Sequence, residues 1–311
     1  MSRPDKRPVF AISGPTASGK TALGVKLAEH VGGEVVNFDS VQIYRGIQIA
    51  TAKPTAEEMR GIPHHLIDYV DPNVSYTAAD WAADAAAKIE EIEARGNTVI
   101  LVGGTGFYLR SLSRPLFESP KTDPELRRRL RKIKAAKGPE RIFRLLKRLD
   151  PKAAAELPQR DHVRVMRGLE VYFQTGRRIS ELRPNRPAAP VFVGRIRLFV
   201  LEPPRAELYA KIDRRTEEHF RSGLLDEVKQ LLISGVMPDT NALGAHAYKR
   251  VCEHFRGERS LESAIEKSKQ DVRNYAKRQL TWFRRESVAK WLNGFGDDPE
   301  VWDELKDLIG N

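Results

Sequence analysis

Gly14-Pro15-Thr16-Ala17-Ser18-Gly19-Lys20-Thr21 has the form G-x-x-x-x-G-K-[ST], and its flanks give it a context. Before it, Val9-Phe10-Ala11-Ile12 is a short continuous apolar run, the pattern of a strand buried on both faces. After it, Thr21 to His30 reads as a helix with Leu23 and Leu27 on one face. The glycines therefore lie at a strand-to-helix turn. There Gly14 and Gly19 let backbone N–H groups turn inward onto anionic oxygens, and the helix start adds its positive end. Pro15, Thr16, Ala17 and Ser18 complete the cradle, Lys20 supplies a point charge for a phosphate, and Thr21 a hydroxyl for Mg²⁺. The stretch predicts a bound diphosphate or triphosphate and does not by itself specify ATP.

Two further apolar runs repeat the pattern. Val35-Val36-Asn37-Phe38 ends at Asp39, and Thr98-Val99-Ile100-Leu101-Val102 ends at Gly103-Gly104-Thr105-Gly106. An Ala-rich amphipathic helix from about Ala78 to Arg95, closed by Gly96, lies between them. Short apolar runs alternating with helices predict a parallel sheet covered on both faces, whose ligand crevice is lined by the loops after the strands. The phosphate loop, Asp39 and Thr105 should thus converge at one sheet edge. A fourth run, Arg197 to Leu201, returns to the strand pattern. Helices are expected at Ala206 to Arg221, Leu224 to Ile233 and Leu261 to Arg285. On the last, Tyr275, Ala276, Leu280 and Phe283 share a core face, while Arg273, Lys277, Arg278 and Arg284 are candidates for phosphate contacts.

The chain has 311 residues, 41% hydrophobic, enough for a sizeable core. Its single cysteine, Cys252, excludes a disulfide framework and reads as a small core residue. No apolar run is long enough to cross a bilayer, and the charged Met1 to Arg7 stretch is not followed by a signal-like segment. A cytoplasmic protein with no membrane partner is expected. The net charge is +11, and it is localised: Lys121 to Arg178 holds 18 Lys and Arg against 7 Asp and Glu, an excess equal to that of the whole chain. Such a block is the footprint of a nucleic-acid contact or, alternatively, a solvated helical face. Within it three helices and no strand are expected: one opened by Thr122-Asp123-Pro124-Glu125 and running to Lys137, one from Glu140 to Leu149, and one from Asp161 to Thr175. Arg183 to Pro190, with three prolines, reads as a linker. The expected architecture is α/β, a P-loop NTPase-like parallel sheet flanked by helices, made of residues 1–120 and 191–311. An all-helical basic domain is inserted at 121–190.

Several blocks, in order, resemble the tRNA dimethylallyltransferase (tRNA isopentenyltransferase) family. They are Gly14 to Thr21, Asp39 to Tyr44, Pro63-His64-His65-Leu66-Ile67-Asp68, Gly103 to Tyr108, Gly223 to Val228 and Asn274 to Phe283. The resemblance implies that the loop grips dimethylallyl diphosphate, with Mg²⁺ held through Thr21. The acceptor would be the exocyclic amine of the adenosine 3′ of the anticodon in tRNA, and the protein is expected to work as a monomer. It implies a general-base role for Asp39 and leaving-group stabilisation by Lys20, Thr105 and Arg215, although Arg214 adjoins the last. It also implies tRNA contacts from Asp39, Ser40, Val41, Gln42 and Thr105, and from Gln159, Arg160, Asp161, His162 and Val163. Arg127 in the basic block is expected on tRNA phosphates. The chemistry is consistent: an adenine amine is a poor nucleophile and must lose a proton as it bonds to carbon. The target base must leave its stack to reach a carboxylate.

Two stretches depart from the family pattern, Ser113 to Pro120 and Leu243 to Lys249. His64-His65 tempts a metal reading, but neighbouring side chains on an extended segment point apart, so a structural role is the expectation. Trp282 and Trp291 are expected in the core. Three other function classes remain open at this point. A small-molecule kinase would use the loop for ATP, an adenylate isopentenyltransferase would take a free nucleotide, and a non-catalytic RNA-binding protein would need only the basic helices.

Overall fold

The structure, a computed structural model, describes residues 7–310; the charged Met1 to Lys6 lies outside the described residues. The chain runs β1 (Val9–Ser13), α1 (Lys20–Val31), β2 (Gly33–Asn37), α2 (Ala56–Met59), β3 (His64–His65), α3 (Ala78–Ala94), β4 (Thr98–Val102) and α4 (Gly106–Ser113). Five helices follow: α5 (Pro124–Lys137), α6 (Pro139–Leu149), α7 (Pro151–Ala155), α8 (His162–Thr175) and α9 (Ile179–Leu182). Then come β5 (Ile196–Leu201), α10 (Arg205–Arg221), α11 (Leu224–Ile233), α12 (His246–Phe255), α13 (Leu261–Phe283), β6 (Lys290–Leu292) and α14 (Pro299–Ile309).

All six strands pair in parallel, in the order β3-β2-β4-β1-β5-β6. Ala11 stands opposite Leu101 on one side and Leu198 on the other, so β1 is central. This explains why its five residues and those of β4 are buried throughout and read as unbroken apolar runs. Leu23 and Leu27 of α1 pack on Phe10, Ile12, Ile100 and Val102. Because β2, β4 and β1 are neighbours, the loops that leave them meet at one edge of the sheet. Beyond the sheet, a second cluster packs Tyr44 and Ile47 against α11 and α12, with Tyr248 and Leu243 fully buried. The unusual Leu243 to Lys249 stretch thus supplies core.

Two compact units are distinguished: one holds the chain up to Ser113 and from Pro190 onward, the other is Arg114–Ala189. The helical unit begins at Arg114, earlier than the charge shift at Lys121, because Phe117 packs on Ala153, Val171, Ile179 and Leu182. It contains five helices where three are expected. The two extra ones, α7 and α9, have five and four residues, too short to show an apolar period. Its own core gathers Leu130, Ile142, Leu146, Leu157, Val165 and Leu169.

His64 and His65, expected on an extended loop, form the edge strand β3. His65 Nε2 lies 2.6 Å from Glu34 Oε2 while His64 Nδ1 lies 2.8 Å from the Ile62 carbonyl, so the rings diverge. No helix of the described residues is long and apolar enough to cross a membrane.

Candidate active site

The phosphate loop leaves β1 and returns as α1. Gly14 has φ +149, and a Cβ there would sit 2.9 Å from both Leu201 Cβ and the Ser18 hydroxyl, so no larger residue fits. Ala17 takes the left-handed conformation at φ 65, an uncommon one for a residue with a side chain. Gly19 precedes the helix and no side chain caps it. The first N–H groups of α1 are therefore open to an anion. The Ser18 N–H donates to the Pro15 carbonyl at 3.3 Å and the Thr16 N–H to Gln279 Oε1 at 2.8 Å, so these two amides are engaged within the protein. The Ser18 hydroxyl is buried without a protein partner. Lys20 Nζ donates to the Pro15 carbonyl at 2.7 Å. Burial pulls its ammonium down from 10.5 to about 8; the Asp39 carboxylate opposes that shift and the Arg215 guanidinium adds to it.

Asp39 follows β2 in a tight turn. Its N–H donates to Asn37 Oδ1 at 3.2 Å, and its Oδ1 accepts the N–H groups of Val41 at 2.9 Å and Gln42 at 3.3 Å. The turn is fastened to the loop after β4, because Thr105 Oγ1 accepts the Ser40 N–H at 3.0 Å and donates to Ser40 Oγ at 3.2 Å. Gln42 Nε2 donates to the carbonyls of Thr51 at 3.1 Å and Ala52 at 2.8 Å, leaving the amide oxygen as its remaining hydrogen-bonding group.

A pocket with about 1140 Å³ of open space is lined by Thr16 to Thr21, Asp39, Gln42, Lys53, Lys211, Arg215 and Gln279. A smaller cavity shares Thr16, Ala17, Asp39 and Arg215 with it. Val41, Ala50, Ile212, Ala247 and Val272 add apolar walls there, with Thr216, His219 and Tyr275. The Thr216 hydroxyl donates to the Ile212 carbonyl of its own helix at 2.8 Å. Of the adjacent arginines, Arg215 lines both cavities and Arg214 is exposed. Burial lowers the Arg215 guanidinium, and the carboxylates of Glu58, Asp39 and Glu218 oppose that shift. Burial likewise raises the Tyr275 phenol, with the Asp39 charge acting in the same direction. Among the described residues no group of three His, Cys, Asp or Glu side chains is arranged to hold a metal.

Phosphate loop, Asp39, Gln42 and Arg215 are thus brought together. Val41 is a buried wall of the apolar cavity. Thr105 faces Ser40 and lines neither cavity. Arg127 and the segment Gln159 to Val163 belong to the helical unit. There Arg127 is held in a two-pronged pair with the buried Glu170 carboxylate, at 2.6 and 2.8 Å. Asp161 caps α8, accepting the Arg164 N–H at 3.0 Å, while Gln159, Arg160 and Val163 are exposed. Arg273, a phosphate candidate by sequence, pairs with Asp213 at 2.5 Å.

Three residues near the site escape sequence reasoning. Gln279 is buried, and its signal is position: it lies three residues after Ala276 and four before Phe283, on the core face of α13. Lys211, one helical turn before Arg215, faces the same pocket, with its ammonium 3.6 Å from Asp297. Glu227 in the Gly223 to Val228 block accepts the Ile49 N–H at 3.0 Å and the Tyr248 hydroxyl at 2.6 Å. It pins the segment whose Thr51 and Ala52 carbonyls hold Gln42.

A family model described as IPP transferase matches residues 42–286. The tRNA dimethylallyltransferase of Geobacter metallireducens is 44% identical over 292 residues, 94% of each chain. That of Thermomicrobium roseum is 45% identical over 305 residues, 98% of this chain and 91% of that one. Among solved structures, the full-length tRNA isopentenylpyrophosphate transferase of Bacillus halodurans superposes with a TM-score of 0.71 at 37% identity, covering 98% of this chain and 96% of that one. A eukaryotic dimethylallyltransferase acting on tRNA gives 0.77 at 29% identity, over 97% and 77% of the two chains.

Proposed function

The chain belongs to the IPP transferase family, and from that premise we propose that it transfers a dimethylallyl group from dimethylallyl diphosphate to the N6 amine of an adenosine in tRNA, the one 3′ of the anticodon. The reading rests on one observation: the phosphate loop, Asp39 and Arg215 line one pocket, and that pocket adjoins a cavity that shares residues of all three and adds apolar walls from Val41, Ile212 and Val272. A donor with an anionic head and a five-carbon apolar tail matches that division.

The diphosphate lies on the open N–H groups at the start of α1, with Lys20 turning from the Pro15 carbonyl toward it and Arg215 opposite. The dimethylallyl tail takes the cavity walled by Val41, Ile212 and Val272. As the carbon–oxygen bond breaks, its electron pair goes to diphosphate, and Lys20 and Arg215 stabilise the growing charge. The N6 lone pair forms the new carbon–nitrogen bond, and the N6 proton goes to Asp39. Oδ1 of Asp39 is engaged by the Val41 and Gln42 amides, so Oδ2 accepts that proton. The Gln42 amide oxygen accepts from an exocyclic amine, which selects an adenine edge over a 6-oxo base. Thr105 acts one step back, holding the Asp39 turn through Ser40.

The protein group for Mg²⁺ is the Thr21 hydroxyl, which lines the pocket. When bound, the ion neutralises charge on the leaving group. The helical unit, through its basic excess and the exposed start of α8, binds tRNA phosphates. We assign the protein to the compartment where tRNA is processed, working as a monomer.

The test is transfer from labelled dimethylallyl diphosphate with Mg²⁺, offered unmodified tRNA, AMP, or ATP alone. Label in tRNA only is the expected result. Label in AMP would make the acceptor a free nucleotide, and ATP hydrolysis without transfer would make this a kinase-like protein.

A further inference from the structure

Gln279 lies on α13, on the face that buries Ala276 and Phe283, and is itself 4% exposed. A buried carboxamide must satisfy both of its ends. Its Oε1 accepts the Thr16 N–H of the phosphate loop at 2.8 Å, and its Nε2 donates to the Gly104 carbonyl in the loop after β4 at 2.9 Å. Gly104 is shaped to this partner, since a Cβ there would fall 2.0 Å from Gln279 Nε2. Beneath this point the two loops are joined at their roots, where the Ser13 hydroxyl donates to the Gly103 carbonyl at 2.9 Å and the Gly103 N–H to the Ile12 carbonyl at 3.2 Å. Gln279 carries the link outward. The next residue after Gly104 is Thr105, whose hydroxyl holds the Ser40 N–H beside Asp39. One relay therefore runs from Thr16 through Gln279, Gly104, Thr105 and Ser40 to Asp39.

We infer that Gln279 is a positioning residue that sets the register between the diphosphate cradle and the carboxylate. Binding the donor uses the cradle, Arg215 and the apolar walls, and accepting the amine proton uses Asp39. Transfer requires both at a fixed spacing, and that spacing is what this relay provides. The role demands a side chain that is acceptor at one end and donor at the other. Gln meets the demand, as does a protonated Glu, whereas an ionised Glu has no donor for Gly104. The kinetic part of this inference rests on the transfer reaction proposed above; the exchange measurement below does not.

The experiment compares wild type with Gln279→Met and Gln279→Glu. For Gln279→Met, of similar length but without the paired donor and acceptor, kcat is expected to fall about 10- to 100-fold, with the donor KM within about threefold of wild type. For Gln279→Glu, the transfer rate relative to wild type is expected to rise at least about tenfold as the pH drops from 8.5 to 6, as the carboxyl regains its donor. Loss of packing alone would not follow pH in this way. Amide exchange, measured without substrate, is expected to quicken in both the 14–19 and 103–105 segments of Gln279→Met. Should the Gln279 variants fail to fold, Gly104→Ala, which displaces the carboxamide, must show the same kcat loss with KM retained. Wild-type kcat in Gln279→Met, a pH-independent ratio in Gln279→Glu, or unchanged exchange in either loop overturns the inference. Absence of transfer by wild type itself would instead overturn the proposed function, leaving the exchange result to judge the relay.

Discussion

Thr105 Oγ1 accepts the backbone N–H of Ser40 at 3.0 Å, tying the turn that carries Asp39 to the loop after β4. The same hydroxyl donates to Ser40 Oγ at 3.2 Å. Thr105 thus acts on catalysis through Asp39. Thr105→Val keeps the shape and removes the acceptor, leaving the Ser40 amide unpaired, a cost of about 1–3 kcal/mol borne by the turn. Steady-state kinetics should show kcat reduced about 10- to 100-fold and the donor KM nearly unchanged. A rise in donor KM with kcat intact would mean that the hydroxyl contacts the diphosphate.

Asp39 itself is the group expected to take the amine proton. Asp39→Ala should lower turnover by roughly two to four powers of ten. tRNA affinity, measured by filter binding, should stay within a few-fold, because most of the binding is to phosphates elsewhere. Turnover near wild type would remove Asp39 from the base role.

Lys20 gives the reaction a basic limb. Its folded-state value of about 8 lies below the ordinary 10.5. Free protein therefore loses this proton as the pH rises through about 8, and the neutral amine cannot pair with diphosphate. kcat/KM for the donor should fall above that point. Lys20→Arg, whose guanidinium stays charged, should show no such limb even at a lower absolute rate. Stability moves the other way. Between about 8 and 10.5 the unfolded chain binds more protons than the folded one, so this group makes free protein more stable as the pH rises through that window.

The phosphate loop, its strand and its helix are legible in the sequence because β1 is central and buried on both faces, so its pattern is uninterrupted. The edge of the same sheet is not legible. β3 has two residues and β6 three, and each pairs on one side only, so neither needs an apolar run. At the site, Asp39 is found by the strand it follows, and Arg215 through the family resemblance alone, with Arg214 beside it. Thr105 is found too, but which way its hydroxyl turns depends on Ser40, distant in sequence. Gln279 is hidden for the same reason: its partners are 263 and 175 residues away. A polar residue on a buried helix face is the only local trace of such a contact.

Glu34 supplies the acid-side prediction. Burial acts to raise its carboxyl, but hydrogen bonds from Arg95, Asn97 and His65 outweigh that and bring it from 4.5 down to about 2. The stability it confers is fully present above about 4.5 and is lost as the pH falls toward about 2. Glu34→Gln should be less stable than wild type at neutral pH, and urea midpoints should converge as the pH drops through that window. A gap that does not narrow would mean the charge is not what Arg95 and Asn97 recognise.

Arg127 separates charge that holds the helical unit together from charge that binds RNA. Both prongs of its guanidinium go to Glu170, which is fully buried and also meets Arg167, at 3.5 Å. Arg127→Ala leaves that carboxylate underpaired. Because Arg127 is about a third exposed, the expected cost is about 2 kcal/mol, below the range for a fully buried pair. The slope of log affinity for tRNA against log salt should not change, since no phosphate contact is lost. Arg160, exposed just before α8, is the contrast: Arg160→Ala should leave the melting temperature unchanged and lower the salt slope by about one. If Arg127→Ala instead flattens the slope with stability intact, its guanidinium leaves Glu170 for a phosphate when tRNA binds.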